Sequence, residues 1–351
     1  MRQILLRIPI PGTEQVLTLY GYGAMMCLGF LAAILLAAHL AKRRKQSPDV
    51  VYNIALLCFF GGILGARLFF VVQYSGQFPN LLDLVKIWEG GLTFYGGFLL
   101  AVASVVVYLV ATRRPILYWL DVIAPGAALG EGFGRMGCFL NGCCYGDTCP
   151  TGWGLAWPVG SIPWQHYAER FLASAGWSGA PETLAALGMT AAQPAGAAAG
   201  TLAGSLAAAW HAPAIYPAQL LSLASAVLLT LVLYTMWRWK RRHGQVLFSL
   251  ILLYGISRFL LEILRADEAS VYFLGLPTLL EGLGRQALAA RLPGMTISQN
   301  VAIVMVLVGV GGLVLLARSR RPPLQADYAP PAAAPAPENS PQPKRRKRRE
   351  R

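Results

Sequence analysis

The sequence predicts an all-α polytopic membrane protein of about seven transmembrane helices, N-terminus outside and C-terminus in the cytoplasm, with a periplasmic loop domain. Three observations predict it. Of 351 residues, 56% are hydrophobic and only 13% charged, against about 25% charged in soluble domains, and mean hydropathy is +0.50. The apolar residues gather into runs near the roughly 20 residues that a helix needs to cross a bilayer. The cations gather between runs, at Lys42 to Lys45, Arg113 and Arg114, Arg238 to Arg242, and Arg318 to Arg321. Such clusters mark cytoplasmic loops. The formal charge of +14 is therefore a topology signal, and nucleic acid is not an expected partner.

The first run, near 17–40, reads as a span rather than the core of a cleavable signal peptide. It follows a mixed segment containing Pro9 and Pro11. Further spans are expected near 54–74, 93–112, 117–137, 214–237, 245–264 and 298–317. Backbone polar groups have no water to bind inside lipid, so each span should be helical. The loop 41–53 is basic and inside, 75–92 is outside, Arg113 and Arg114 are inside, 147–213 is outside, Arg238 to Arg242 are inside and 265–297 is outside. Residues 184–210 carry no charge and are long enough to cross. They consist mostly of Ala, Gly, Ser and Thr around Pro194, and a crossing there would put Arg238 to Arg242 outside. They read as an Ala/Gly-rich insertion in the periplasmic loop 147–213. Residues 1–321 thus form one transmembrane unit. Residues 322–351 form a disordered, Pro/Ala-rich cytoplasmic tail ending in a basic cluster that can meet anionic membrane lipids.

Six ionisable residues fall within or at the ends of spans: Arg67, Asp121, Glu131, Arg135, Arg258 and Glu262. A charge at membrane depth costs about 2.5–3.5 kcal/mol on insertion scales and marks function by default. Structural pairing or snorkelling suits Asp121, near the inner boundary, and Arg67. Arg135 and Arg258 lie toward the outer ends of their helices, where two planar guanidiniums make an anion site. Arg258 and Glu262, four residues apart, share a helix face. At that depth the plentiful anion is a phospholipid headgroup. The glycines of GGLTFYGG at 90–97 and GRMGCFLNGCCYG at 134–146 fit close helix approach or broken helix around a cavity.

Taken together, the ordered motifs resemble the bacterial prolipoprotein diacylglyceryl transferase family over roughly residues 17–317. YGYGAMMCLGFLAA at 20–33 resembles its first-span YGLM segment, and GARLFFVVQY at 65–74 its second span. IWEGGLTFYGGFLLA at 87–101 is similar to its W-x-GG-[ML]-S-F-H-GG-L motif, and GRMGCFLNGCCYG to its signature G-R-x-G-N-F-x-N-G-E-x-x-G. YPAQL at 216–220 resembles H-P-[ST]-Q-L-Y-E. YGISRFLLEILRADE at 254–268 resembles YG-x-x-R-F-x-x-E-x-x-R-x-x-D. The resemblance implies transfer of the diacylglyceryl group of phosphatidylglycerol to the lipobox cysteine of a preprolipoprotein signal peptide. It implies an inner-membrane enzyme without a cofactor, acting as a monomer. Arg135 and Arg258 would hold the phosphate and Glu262 would orient Arg258. Tyr22, Asn141, Gly146, Gly96, Gly97 and Arg67 would bind substrate.

Several positions depart from the family pattern at the chemistry. Tyr95 stands where the motif histidine is expected, Cys138 for the first signature asparagine, and Cys143 for the signature glutamate. Tyr216 and Ser222 replace the histidine and glutamate of H-P-S-Q-L-Y-E. An unperturbed tyrosine titrates near 10, so Tyr95 is a poor base, and it relays a proton, binds the headgroup or anchors at the interface. Cys138, Cys143, Cys144 and Cys149 cluster at the outer end of the fourth span, while Cys27 and Cys58 read as ordinary span residues. The cluster is open to a disulfide, a redox pair, a metal site or apolar packing. One disulfide involving Cys149 is expected, and no metal ligands, because the spacing fits no common zinc pattern. Two other classes stay open: an idle anionic-lipid-binding or lipid-transport homologue, and a membrane thiol oxidoreductase. The first needs the arginines without an activated nucleophile, and the second needs the cysteines without the arginines.

Overall fold

A computed structural model describes residues 3–9, 16–74, 91–150, 152–158, 161–174, 213–265 and 295–319. The segment 75–90, the Ala/Gly-rich insertion, residues 266–294 and the tail 322–351 lie outside the described residues. The elements are β1 (Ile4–Pro9), β2 (Val16–Tyr20), α1 (Gly21–Arg43), α2 (Asp49–Gln73), α3 (Phe94–Ala111), α4 (Ile116–Asn141), α5 (Ile162–Ser174), α6 (Ala218–Trp239), α7 (Gln245–Glu262) and α8 (Ile297–Arg318). Six of them, α1, α2, α3, α6, α7 and α8, are long and apolar enough to cross a membrane. The chain is therefore a multi-pass membrane protein with a helical body.

Two details differ from what the sequence predicts. β1 and β2 pair antiparallel, where only a mixed segment was expected. The helix then starts at Gly21 instead of near 17, because the Gly21 amide donates to the Gln3 carbonyl at 2.8 Å and closes the hairpin onto α1. In addition, α4 is not among the six apolar helices. It carries Asp121, Glu131 and Arg135 in its 26 residues. At 1.5 Å per residue it is still about 39 Å long, more than the roughly 30 Å of a bilayer core.

Helix packing follows from small residues. Lipid is as apolar as a leucine side chain, so helices associate by close packing rather than by the hydrophobic effect. A Cβ added at Gly126 of α4 would lie 2.6 Å from the Ala33 carbonyl oxygen of α1, and one at Gly97 of α3 would lie 2.8 Å from the Gly62 carbonyl oxygen of α2. Three pairings result: α1 on α4, α2 on α3, and α7 on α8. α4 is central, also meeting α6 and α7, and its Trp119 and Val122 are wholly buried with Leu40, Leu109 and Leu233.

The bundle has two distinct ends. At the basic end Arg44 lies over Trp237, Lys240 over Tyr118, and Arg242 donates to the Ser319 carbonyl at 2.8 Å. Asp121, fully buried, accepts from Lys240 at 2.9 Å and from the Gly244 and Leu247 amides at 2.8 and 2.9 Å. It thereby satisfies amides that the first turn of α7 would leave without partners. At the other end Gln3 donates to the Asn141 carbonyl at 3.0 Å. The chain after α4 is stitched to the exit of α7 by the bridge Gly146–Arg265 and to the approach of α6 by the bridges Thr148–Ile215 and Leu155–Ile215. Tyr145, Trp157, Tyr167 and Ile215 form a small core over this end. Burial, then the neighbouring Asp147 carboxylate, push the Tyr167 phenol above its ordinary value, so it stays a donor to Asp147 at 3.1 Å.

Candidate anion site

Helical periodicity builds the site from α4 and α7. Glu131 and Arg135 are four apart on α4, and their side chains meet at 3.3 Å. Arg258 and Glu262 are four apart on α7 and meet at 2.9 Å. Tyr254, one turn before Arg258, interacts with Glu131 and with both arginines, so the two pairs form one cluster across the α4–α7 contact. Glu262 is 3% exposed and takes two further partners. Arg265 lies 3.5 Å from it, and the Thr296 hydroxyl donates to it at 3.1 Å. Arg258 also donates to the Ser298 hydroxyl at 2.8 Å. Thr296 and Ser298 are positioned by a capping box at the start of α8, in which the Thr296 hydroxyl accepts from the Gln299 amide.

The described residues of this cluster hold three guanidiniums, Arg135, Arg258 and Arg265, against two carboxylates, Glu131 and Glu262. The Arg135 and Arg258 side chains keep 16% and 14% of their surface exposed. Partly desolvated, fork-shaped donors of this kind suit a phosphate or carboxylate.

The remaining expected site residues divide. Tyr22 lies beside the end of α4: a Cβ at Gly137 would touch its ring at 3.1 Å, and it interacts electrostatically with Arg135 and with Cys138, Cys143 and Cys144. Asn141 ends α4 and accepts Gln3 through its carbonyl. Gly146 is required by close approach, since a Cβ there would collide with the Tyr216 carbonyl oxygen and lie 2.9 Å from that of Leu264, while its amide donates to the Tyr216 carbonyl at 3.2 Å. Gly96 and Gly97 pack on α2. Arg67 is buried, donates to the Gly91 carbonyl at 3.2 Å and lies over Phe70, so it ties α2 to the start of α3. The Tyr95 side chain is 60% exposed, edge-on to Phe94, with no hydrogen bond among the described residues.

The four clustered cysteines occupy two places. Cys149 is buried with its Cβ against Gly154, and its amide donates to the Ala214 carbonyl at 2.8 Å. Cys138, Cys143 and Cys144 instead converge, with their three sulfurs all within 4.8 Å of one another. Sequence reasoning misses several contributors. Arg265 follows Glu262 at helical spacing, a signal that could have found it. Thr296 and Ser298 belong to another helix with no local signal. Gln219 of YPAQL is buried and donates to the Cys143 carbonyl at 2.9 Å.

Fold and site together define a class: a polytopic membrane protein with an arginine-rich charge cluster set between α4 and α7. More narrowly, the chain belongs to the prolipoprotein diacylglyceryl transferase family, whose model matches residues 12–315. It is 31% identical over 320 residues to the phosphatidylglycerol–prolipoprotein diacylglyceryl transferase of Xanthomonas campestris pv. campestris, covering 89% of this chain and 91% of that one. It is 30% identical over 317 residues to the protein of that name from Paraburkholderia xenovorans, covering 87% and 92%. A Clostridium tetani protein of the same name is 38% identical over 130 residues, 37% of this chain and 52% of that one. With a Rhodopirellula baltica relative of the same name the match covers only 37% of that protein's length.

Proposed function

We propose that the chain is a phosphatidylglycerol–prolipoprotein diacylglyceryl transferase of the bacterial inner membrane, acting as a monomer. The observation that carries this reading is the paired-arginine cluster on α4 and α7 in a chain of this family. Arg135 and Arg258 hold the phosphodiester of phosphatidylglycerol. Glu262, fixed by Arg265 and Thr296, orients Arg258. The thiolate of a lipobox cysteine attacks the glyceryl carbon that bears the phosphate. A carbon–sulfur bond forms, the carbon–oxygen bond breaks, and glycerol-1-phosphate leaves with the electron pair. The guanidiniums stabilise the charge that grows on the leaving phosphate. Tyr22 and Asn141 border the place where the peptide thiol must arrive.

In this reading α4 is a seventh span, its charges buried by neighbouring helices. The N-terminus is outside, the cap of α5 and the loop 147–213 is periplasmic, and residues 1–321 are one unit followed by the cytoplasmic tail. The test is rescue of a strain depleted of its own diacylglyceryl transferase, with thioether formation on a lipobox peptide measured by mass spectrometry. Failure of both would sink the reading and leave a lipid-binding homologue. Fusions of an outside-active reporter sharpen the topology. Activity is expected within 75–92 and 150–210 and silence at 115 and 240, whereas activity at 240 overturns the seven-span count.

A further inference from the structure

Cys138 occupies the last turn of α4, three residues beyond Arg135 and on the same face. Cys143 and Cys144 follow the helix. Their sulfurs reach Cys138 because the chain reverses at Gly142, with φ 81°, and at Cys144, with φ 58°. A left-handed backbone is uncommon for a residue bearing a side chain. The reversal is held in place: the Gly142 and Cys143 amides both donate to the Cys138 carbonyl, at 2.8 and 3.1 Å, and Gln219 grips the Cys143 carbonyl. The result is a cup of three sulfurs, each half-buried. Among the described residues no histidine, carboxylate or fourth cysteine joins it.

We propose that Cys138, Cys143 and Cys144 bind a zinc ion through three thiolates, with the fourth position open to the lipobox thiol. At a Zn–S distance of about 2.3 Å, tetrahedral geometry puts sulfurs roughly 3.8 Å apart, within the 4.8 Å limit of the cup. Three protein ligands with one open position is the pattern of a catalytic zinc, whereas closed four-ligand sets are structural. The activating role rests on the transferase reading above. That reading lacks a base, since Tyr95 stands in place of the family histidine and is exposed. A thiol bound to zinc is deprotonated outright, so the metal supplies what the histidine would have supplied.

The position suits the chemistry. Arg135 interacts electrostatically with Cys138 and Cys144 and lies about 4.5 Å below Cys138 along the helix axis. The phosphate it binds is therefore within reach of the zinc-held sulfur. The lipobox thiol releases its proton to solvent on coordination. Its sulfur bonds to the glyceryl carbon, glycerol-1-phosphate departs as the dianion, and the thioether, a weaker ligand, leaves the metal. No electrons are exchanged with any other partner.

The test uses the full chain, reduced and supplied with zinc in lipid nanodiscs. Elemental analysis is expected to find about one zinc per chain, and cobalt substitution a thiolate-to-cobalt charge-transfer band. Cys138→Ser, Cys143→Ser and Cys144→Ser should each weaken zinc binding beyond the roughly 10- to 100-fold caused by losing a supporting outer group. Cys27→Ser and Cys58→Ser should not. Chelation should leave phosphatidylglycerol binding intact and lower thioether formation on the order of 10²-fold, restored by zinc. A reduced protein that takes up no zinc, or zinc uptake indifferent to the three cysteines, overturns the site. A metal-free enzyme that transfers at full rate overturns the activating role and leaves the transferase reading intact. Three-cysteine zinc binding without any transfer upholds the site and overturns the transferase reading with the role built on it.

Discussion

Two buried charge clusters sit at opposite ends of the same bundle and differ in every respect that matters for function. At the basic end one carboxylate, Asp121, meets one ammonium, Lys240, with side chains 0% and 2% exposed. Two backbone amides complete the carboxylate's bonding. Charge is balanced and the cluster is sealed. At the other end, among the described residues, three guanidiniums surround two carboxylates, and Arg135 and Arg258 remain partly exposed. The comparison teaches that burial of charge alone does not mark a site. Access does, because a sealed pair has nothing left to offer a ligand.

The largest effect should come from breaking the sealed pair. Asp121→Ala leaves Lys240 buried beside orphaned amides, and removing one partner of a buried pair costs about 3–5 kcal/mol. Folded yield should collapse, while any folded protein keeps its specific transfer rate. An equal loss of specific rate would mean that the two ends are coupled. Next come Arg135→Lys and Arg258→Lys. Lysine preserves charge but not the bidentate fork, and each change should remove on the order of 2–4 kcal/mol of transition-state stabilisation without preventing membrane insertion. Wild-type rates in both would show that the cluster needs only charge or is structural.

Tyr95→Phe should be small, within the roughly 0.5 kcal/mol typical of surface substitutions, when the transfer rate is compared with wild type. A loss of tenfold or more, about 1.4 kcal/mol, would return Tyr95 to the site. The smallest effect concerns His243. Burial, then the Lys240 charge, hold its imidazole below the ordinary value. The unfolded chain therefore takes up the proton first as pH falls through about 6.5, and stability declines until the folded value is passed. His243→Gln should flatten that part of the acid limb in thermal unfolding in nanodiscs. An unchanged limb would assign the acid sensitivity to another group.

Much of the helical body is legible in the amino-acid sequence. Apolar runs became helices within a few residues because lipid leaves the backbone no other partner. The spacings Glu131–Arg135 and Arg258–Glu262 announced ion pairs because helix geometry alone sets them. Contacts between distant residues were not legible. Nothing local announced that Arg67 reaches Gly91 across the α2–α3 connection. Nor did spacing announce that the Cys149 amide pairs with the Ala214 carbonyl while the sulfurs of Cys138, Cys143 and Cys144 converge.

By itself, then, the sequence determined the membrane environment, the helical body, the family and the two arginine-bearing faces, all properties of composition and local period. Only tertiary structure decided which charges meet, which glycines pack against a neighbouring segment, and that three of four clustered cysteines share one cup. The physical reason is the range of the interactions. Helix formation is settled over a few residues, whereas the contact of α4 with α7 and the reversal at Gly142 and Cys144 depend on surfaces contributed by distant parts of the chain.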